Sequence, residues 1–418
     1  PVGAVNFAPA LLNLLKHPTI GSKEAVVRRY DHEVQGATVL KPLVGRAGNG
    51  PGDAAILQPI LDERSNAGIV LSNGINPLYG QFDPYWMAMN AVDEALRNLT
   101  AVGGDTERAA ILDNFCWGNP SDPAQLGMLV RAVKGCHDAA TGFGVPFISG
   151  KDSLNNEYRA DGQRLPVIPT LLISALGIID NTAQSVDMSL KQPDNLLYLI
   201  GKTHNELAGS HYLEVSLDGS VDRTEASPRS VHFVPGTDSM PVILSEAKNP
   251  LHHSKILRFA QNDRHGGSEL DTTVPHINIT VARNTMNAVG KAIRGGLALS
   301  CHDLSEGGLA VAAAEMALAG LLGLSIDIGQ VASESLDYPD ELLATILLFS
   351  ESASRFLLEV APQQREAFEA HMRAHNVHDI ACLGSVTENA RFQVYARERV
   401  LIDVAVDELQ AAWKGETA

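Results

Sequence analysis

Four stretches of the chain carry side chains whose types and spacing could do chemistry. In "CHDLSEGGLA", 301 to 310, Cys301, His302, Asp303, Ser305 and Glu306 stand directly before a run of alanine and leucine. Ser305 is a candidate N-cap, and Gly307 and Gly308 leave the first turn bare, so its free N–H groups could accept an anion. Asp303 is a poor neighbour for a bare phosphate and a good one for a phosphate carried by Mg2+. A capped helix packed through small residues explains the same letters.

The second stretch, "GNGPGDAAIL", sets Gly48, Gly50 and Gly52 ahead of Asp53. Glycines admit close backbone approach to phosphate, and an acid at the loop's end can hold a metal. An ordinary Gly/Pro turn fits as well, because the stretch enters a strand rather than a helix and lacks the Lys-Ser/Thr of a Walker loop. The third, "FISGKDSLNN", ends a strand in Gly150, Lys151, Asp152 and Ser153. A cation, an acid and a hydroxyl at a strand's carboxyl end is where α/β folds take ligands, although a polar turn looks similar.

The fourth is the helix "PYWMAMNAVDEALRNLTAVGG", opened by Asp83-Pro84 as N-cap and first residue and closed by glycine. On a 3.6-residue wheel Met89, Val92, Leu96 and Leu99 form the core stripe. Glu94 and Asn98, four apart and adjacent, fall opposite among Met87, Ala91, Ala101 and Val102, leaving Asn90, Asp93, Arg97 and Thr100 for solvent. An ionised Glu94 among apolar side chains calls for a cation or a donor. A Glu-to-Asn hydrogen bond on a partly exposed face is the alternative. His137 and His302 lack metal spacing to another histidine and read as structural. No nucleophile elbow or glutaminase-like cysteine is present, so no catalytic residue is assigned.

The elements that must position these residues form two units. At 418 residues two domains are expected. A lead-in, 1–45, precedes an α/β unit, 46–182, with strands in "AAIL" and "AGIVLSNGINP", helices from 84 and about 123–142, the strand "VPFIS" with the loop "GKDSLNNEY" after it, and the strand "TLLISALGIID". A polar stretch leads to a second α/β unit, 190–410, with strands at "NLLYLIG", "ATILLFSESASRFLLEV" and "RFQVYA". Residues 239–270 are locally basic, lack periodicity and read as a surface insertion. The fold class is α/β (α+β).

Composition excludes some functions. A formal charge of -17 argues against gripping a nucleic-acid backbone, and no apolar run is long enough to cross a bilayer. Cys116, Cys136, Cys301 and Cys382 are scattered without metal or disulfide spacing, which fits a reducing compartment and a cytoplasmic expectation. The start, "PVGAVNFAPALLNLLKHPTI", has no initiating Met and no signal pattern, and reads like the middle of a longer polypeptide.

In this order and at these intervals, "YDHEVQGATVLKP", "ALRNLTAVG", "LDNFCWGNP", "GVPFISGKDSLNNE" and "CHDLSEGGLAVAAAEMALAG" resemble the second half of phosphoribosylformylglycinamidine synthase, the ATP-dependent amidotransferase of purine synthesis. The resemblance covers nearly the whole chain apart from 239–270. It implies an aminoimidazole-ribonucleotide-synthetase-like N-terminal domain followed by its C-terminal partner, with two such halves pairing to make one catalytic and one auxiliary nucleotide site. By analogy with the large form, Asp53, Glu94, Asn98 and Asp303 match Mg2+ ligands of the auxiliary site, and Gly52 and Ser305 fall with its nucleotide contacts. By analogy with the small form, Asp113, Gly150 and Ser153 match residues lent across the interface to catalytic ATP and substrate, with Ser153 on the substrate.

The chain departs from the small form at Lys151, where that form has a metal-ligating Asn. A protonated lysine cannot ligate Mg2+, so Lys151 is expected on a phosphate, as in the large form's Gly-Lys-Asp-Ser. Ala353 stands where the family's first half has a substrate-contacting Gln. The resemblance implies conversion of formylglycinamide ribonucleotide, ATP and glutamine-derived ammonia to the amidine, ADP and phosphate. ATP phosphorylates the amide oxygen and ammonia displaces it. Mg2+ and ATP or ADP are the implied cofactors; the missing N-terminal half and a glutaminase domain or subunit are the implied partners. A non-catalytic nucleotide-binding scaffold, or a free-standing relative such as thiamine-monophosphate kinase, are the alternatives.

Overall fold

The computed structural model describes residues 6–30, 32–59, 65–160, 163–218, 273–333 and 339–416. The expected insertion at 239–270 lies outside them. Burial alternates residue by residue along "GIVLSNGI", with Gly68, Val70, Ser72 and Gly74 turned inward and Leu71, Asn73 and Ile75 outward, and the strand Thr170–Ile179 repeats the alternation. In chain order the first unit contains β1 (Thr38–Leu40), the short pair β2 (Leu43–Val44) and β3 (Gly50–Pro51), β4 (Ala54–Leu57), β5 (Gly68–Ile75), β6 (Asp105–Cys116), β7 (Phe147–Ser153), the hairpin β8 (Glu157–Ala160) and β9 (Gln163–Pro166), and β10 (Thr170–Ile179). Six of them form one sheet in the order β1-β4-β5-β10-β6-β7.

Helices Pro84–Ala101 and Pro123–Phe143 belong to this unit. Each begins with an aspartate accepting from a backbone N–H, Asp83 from Tyr85 and Asp122 from Ala124, followed by proline. The first helix packs so tightly on β5 that a Cβ on Gly74 would lie 2.1 Å from the Ala91 carbonyl oxygen. Among the described residues no helix packs on the other face of the sheet: Leu71, Ile75 and Leu176 are exposed there, with Asn73, Ser174 and Leu112 in register between them.

The second unit contains β11 (Leu196–Ile200), β12 (Ser300–Asp303), β13 (Gly323–Asp327), β14 (Phe356–Val360), β15 (Ile380–Thr387), β16 (Arg391–Ala396) and β17 (Arg399–Ala405). They form a sheet ordered β12-β14-β11-β15-β13-β16-β17, antiparallel except for β13 with β16. Helices His211–Asp218, Ile279–Arg294, Gly308–Gly320, Asp340–Phe349, Arg365–Ala374 and Val406–Lys414 belong to it. The lead-in helix Ala8–Lys16 joins the core of this second unit, where Leu11, Leu14 and Leu15 are fully buried with Leu409 and Trp413.

Three expectations about elements change. "ATILLF" is the end of helix Asp340–Phe349, and only Phe356–Val360 is a strand. A short apolar run buried all round has no period to separate helix from strand, and the proline and two acids before it were the better signal. Strand β7 runs through "GKDS", because Gly150 to Ser153 pair with Asp113 to Cys116 of β6. The side of helix Pro84–Ala101 expected to face solvent is buried: Asn90, Asp93, Arg97 and Thr100 are at most 4% exposed. The second unit covers that side.

Candidate functional site

Helix Pro84–Ala101 lies between the two sheets and reaches both. Its Arg97 pairs with Asp93 one turn earlier, Nη1 to Oδ2 at 2.5 Å, and with Asp303 at the end of β12, Nη2 to Oδ2 at 3.2 Å. Asp93 also accepts from the Ser354 hydroxyl at 2.7 Å and its N–H at 3.1 Å. Burial works against the guanidinium charge, but Asp93 and Asp303 outweigh it and hold Arg97 above its ordinary range.

Where the units meet, a cavity of about 440 Å3 is lined by Gly52 and Asp53 from the glycine-rich loop, Asn98 from the helix, and His302, Asp303, Ser305, Glu306 and Glu315 from the second unit. Four of the residues expected to act there, with Ser305, are therefore brought together: Gly52, Asp53, Asn98 and Asp303 share its wall. Asp53 Oδ1 accepts from the Asp303 N–H at 3.0 Å and faces His302 Nδ1 at 2.8 Å. Its other oxygen is buried with no hydrogen-bond partner. Asn98 donates through Nδ2 to the Asn73 carbonyl at 2.9 Å, which leaves its own carbonyl oxygen as an acceptor.

Glu94 is not in the cavity wall. It sits behind it, accepting from the Ile75 N–H at 2.8 Å. Burial, reinforced by the charges of Glu306 and Asp303, pushes its carboxyl well above the usual carboxylate range. Burial likewise raises Asp303 to about 6, against the pull of Arg97. Burial also raises Glu306. Desolvation is the main cause of all three shifts, and the neighbouring carboxylates add to it.

The glycine-led helix differs from expectation. Ser305 does not cap it; Gly307 is the N-cap, with a left-handed backbone, φ 78°. Its N–H donates to Glu351 Oε1 at 2.8 Å, so an internal side chain already occupies the end expected to be open to a phosphate. Glu351 also accepts from Tyr79 Oη at 2.6 Å and the His211 N–H at 3.2 Å. Burial raises it to about 8.

His302 bridges Asp53 and Glu315, the latter 3.1 Å from Nε2. Burial alone would lower its imidazole, yet Asp53 and Glu315 hold it well above its ordinary value. With both ring nitrogens engaged it is a cation of the site, partly standing in for the metal expected beside Asp53. Sequence reasoning missed Lys23, Glu306, Glu315 and the ion-pairing role of Arg97. Glu315 had a signal, as the single charged residue of helix Gly308–Gly320. Lys23 had none: it lies in the lead-in, which folds against the cavity through Thr19, Gly21 and Lys23.

Asp113, Gly150, Lys151 and Ser153 form a second group at the other edge of the first sheet, four strand spacings from β4 and so about 19 Å away. Asp113 and Gly150 are register partners, and a Cβ on Gly150 would lie 2.4 Å from Asp113 Oδ1. Lys151 Nζ donates to Ser153 Oγ at 2.5 Å. Burial and the charge of Asp152 raise Asp113. Strand β7 is exposed along Ile148 to Asp152.

The residues of the first group fit a hard divalent cation. Asp53, Asn98 and Asp303 offer oxygen atoms, one of them a buried acceptor without a donor.

Two family models match the chain: AIR synthase related protein, N-terminal domain, over residues 51–179, and AIR synthase related protein, C-terminal domain, over residues 242–397. The class defined by fold and site is thus that of AIR synthase related proteins. Phosphoribosylformylglycinamidine synthase subunit PurL of Synechococcus elongatus is 30% identical over 413 residues, covering 97% of this chain and 45% of its own length. That of Deinococcus radiodurans is 31% identical over 415 residues, 98% of this chain and 46% of its own. The chain belongs to the phosphoribosylformylglycinamidine synthase family. It spans just under half the length of these relatives.

Among solved structures, PurLQS from Thermotoga maritima superposes with a TM-score of 0.63 at 16% identity, covering 98% of this chain and 52% of that one. T. maritima PurL complexed with FGAR gives 0.62 at 16% identity, covering 96% and 53%. At that identity the likeness is one of fold. Among the described residues no helix is long and apolar enough to cross a membrane.

Proposed function

We propose that this chain is the second half of the synthetase portion of a phosphoribosylformylglycinamidine synthase, taking part in the ATP-dependent conversion of formylglycinamide ribonucleotide and ammonia to the amidine. In this reading the cavity between the units is an auxiliary Mg-nucleotide site, and the exposed edge of β7 completes the catalytic site of the absent half. The observation that carries it is the meeting of Asp53 and Asp303, from separate units, with Asn98 and Ser305 at one cavity where a buried carboxylate oxygen has no partner.

Asp53, Asn98 and Asp303 would hold Mg2+, with Glu94 behind them. Bound there, Mg2+ would join the carboxylates to nucleotide phosphates and neutralise both. The chain's own groups do the rest: Ser305 and Lys23, which line the wall beside Gly52, would supply donors to the phosphates. Arg97 and His302 keep Asp303 and Asp53 in place through ion pairs.

The open sheet face supports a partner half. Leu71, Ile75 and Leu176 would be covered by an equivalent sheet, as apolar side chains on an unpacked face demand. In that arrangement Asp113, Gly150, Lys151 and Ser153 would lie at the rim of the joint, with Lys151 on phosphate and Ser153 on substrate. The ammonia would come from a glutaminase domain or subunit, as the family resemblance implies.

The test is reconstitution. The chain alone, given formylglycinamide ribonucleotide, ATP, Mg2+ and ammonia, should release no ADP, and co-expression with an N-terminal half should restore turnover. Lys151→Met should then lower the reconstituted rate without preventing assembly. Turnover by the isolated chain would overturn the proposal, and a pure scaffold would leave the reconstituted pair inactive.

A further inference from the structure

His17, His211 and Glu214 lie apart from the residues assigned above, and one donor atom from each is within 4.8 Å of the others. His17 follows the lead-in helix Ala8–Lys16, while His211 and Glu214 share the first turn of helix His211–Asp218. Three residues apart on a helix, their side chains project to the same side. His17 Nε2 is 3.6 Å from Glu214 Oε2, and the two imidazoles meet edge to face with centroids 4.8 Å apart.

We propose that His17, His211 and Glu214 form a binding site for a zinc-class divalent metal, with water as the remaining ligand.

Two imidazoles and a carboxylate are a borderline-soft set that suits Zn2+, whereas the oxygen-only group around Asp53 suits Mg2+. His211 supplies the second, independent observation. It is 5% exposed, and its Nδ1 is buried without a hydrogen-bond partner. That nitrogen lies 3.9 Å from Glu351 Oε1. Metal-bound histidines generally present their other ring N–H to a carboxylate, which fixes the tautomer and the ring orientation. With Nδ1–H facing Glu351, which must close from 3.9 Å to accept it, His211 offers Nε2 to the metal.

Burial, with His17 and Lys23 nearby, lowers His211 to about 4, so its ring is neutral at pH 7 as ligation requires. The cost falls on His17, whose Nδ1 gives up a 3.2 Å contact from the exposed Thr19 N–H. Glu351 also holds the Gly307 N–H at the start of the helix beside the nucleotide cavity. A metal on His211 therefore restrains that helix end through one carboxylate.

The test is metal binding by the whole chain, read by competition with a chromophoric chelator and by the visible spectrum of the Co2+-substituted protein. Wild type should take up Zn2+ at one site with a tetrahedral Co2+ spectrum. His17→Ala and Glu214→Gln, both at partly exposed positions, should each weaken binding at least a hundredfold. Glu351→Gln should weaken it roughly 10–100-fold, and Asp53→Asn should leave it unchanged. Circular dichroism identical to wild type qualifies each variant. Failure of the wild type to bind Zn2+, or binding that survives both His17→Ala and Glu214→Gln, would overturn the proposal.

Discussion

Replacing Arg97 by methionine tests the electrostatics of the joint between the units. Methionine keeps the length of the stem and removes the cation that pairs with both Asp93 and Asp303. Arg97 is 4% exposed and Asp93 0%, so water cannot take its place. Breaking a buried pair by deleting one partner costs about 3–5 kcal/mol, because the other charge stays buried. Asp303 already stands near 6 with Arg97 beside it, and without that cation it must rise further. The loss should therefore be largest at pH 8 and shrink toward pH 5, where Asp303 can take up a proton. Urea unfolding followed by circular dichroism at both pH values reads this directly. Adding Asp303→Asn to Arg97→Met should recover part of the loss at pH 8. A change under about 1 kcal/mol, or one equal at both pH values, would refute the reasoning.

Glu351→Gln should stabilise the chain at high pH. In the folded protein Glu351 keeps its proton to about 8, whereas the unfolded chain releases it near the ordinary value of 4.5, so folding stability falls as pH rises between them. The gap is equivalent to roughly 5 kcal/mol at most. Glutamine can keep the contacts to Gly307, His211 and Tyr79, so the variant should gain about 2 kcal/mol or more at pH 9 and little at pH 5; equal effects at both would count against it. Gly74→Ala drives a Cβ into the backbone of Ala91 and should cost about 1–3 kcal/mol or more, while shifting the helix that carries Glu94 and Asn98. Gly127→Ala, on the exposed side of helix Pro123–Phe143 with open space around it, should instead gain about 0.5–1 kcal/mol, and chemical denaturation should show the opposite signs.

The site was legible where local pattern set geometry. The Asp83-Pro84 start fixed the phase of the helix, and with it the neighbourhood of Glu94 and Asn98. The Gly52-Asp53 loop and the end of β12 stood out by composition, and they do meet at the cavity. What local pattern could not show was which charges would find protein partners. A helical wheel assigns Asp93 and Arg97 to solvent unless a second unit is known to cover them. Nor could local pattern show that His302, read as structural, is the cation between Asp53 and Glu315. Glu351 escaped notice because its partners, Tyr79, His211 and Gly307, are far apart in sequence and close only through the fold.

The central claim is that carboxylates from two units share a divalent cation and a nucleotide. Asp53 and Asp303, whose donor oxygens lie within 4.8 Å of one another, repel by roughly 3 kcal/mol at an effective dielectric near 20, which bound Mg2+ would offset. The direct measurement is unfolding stability with and without Mg-ADP. At a hundredfold over its dissociation constant the ligand should add about 2.7 kcal/mol, and Asp303→Asn should remove most of that gain. An unchanged stability with Mg-ADP, or a gain undiminished in Asp303→Asn, would contradict it.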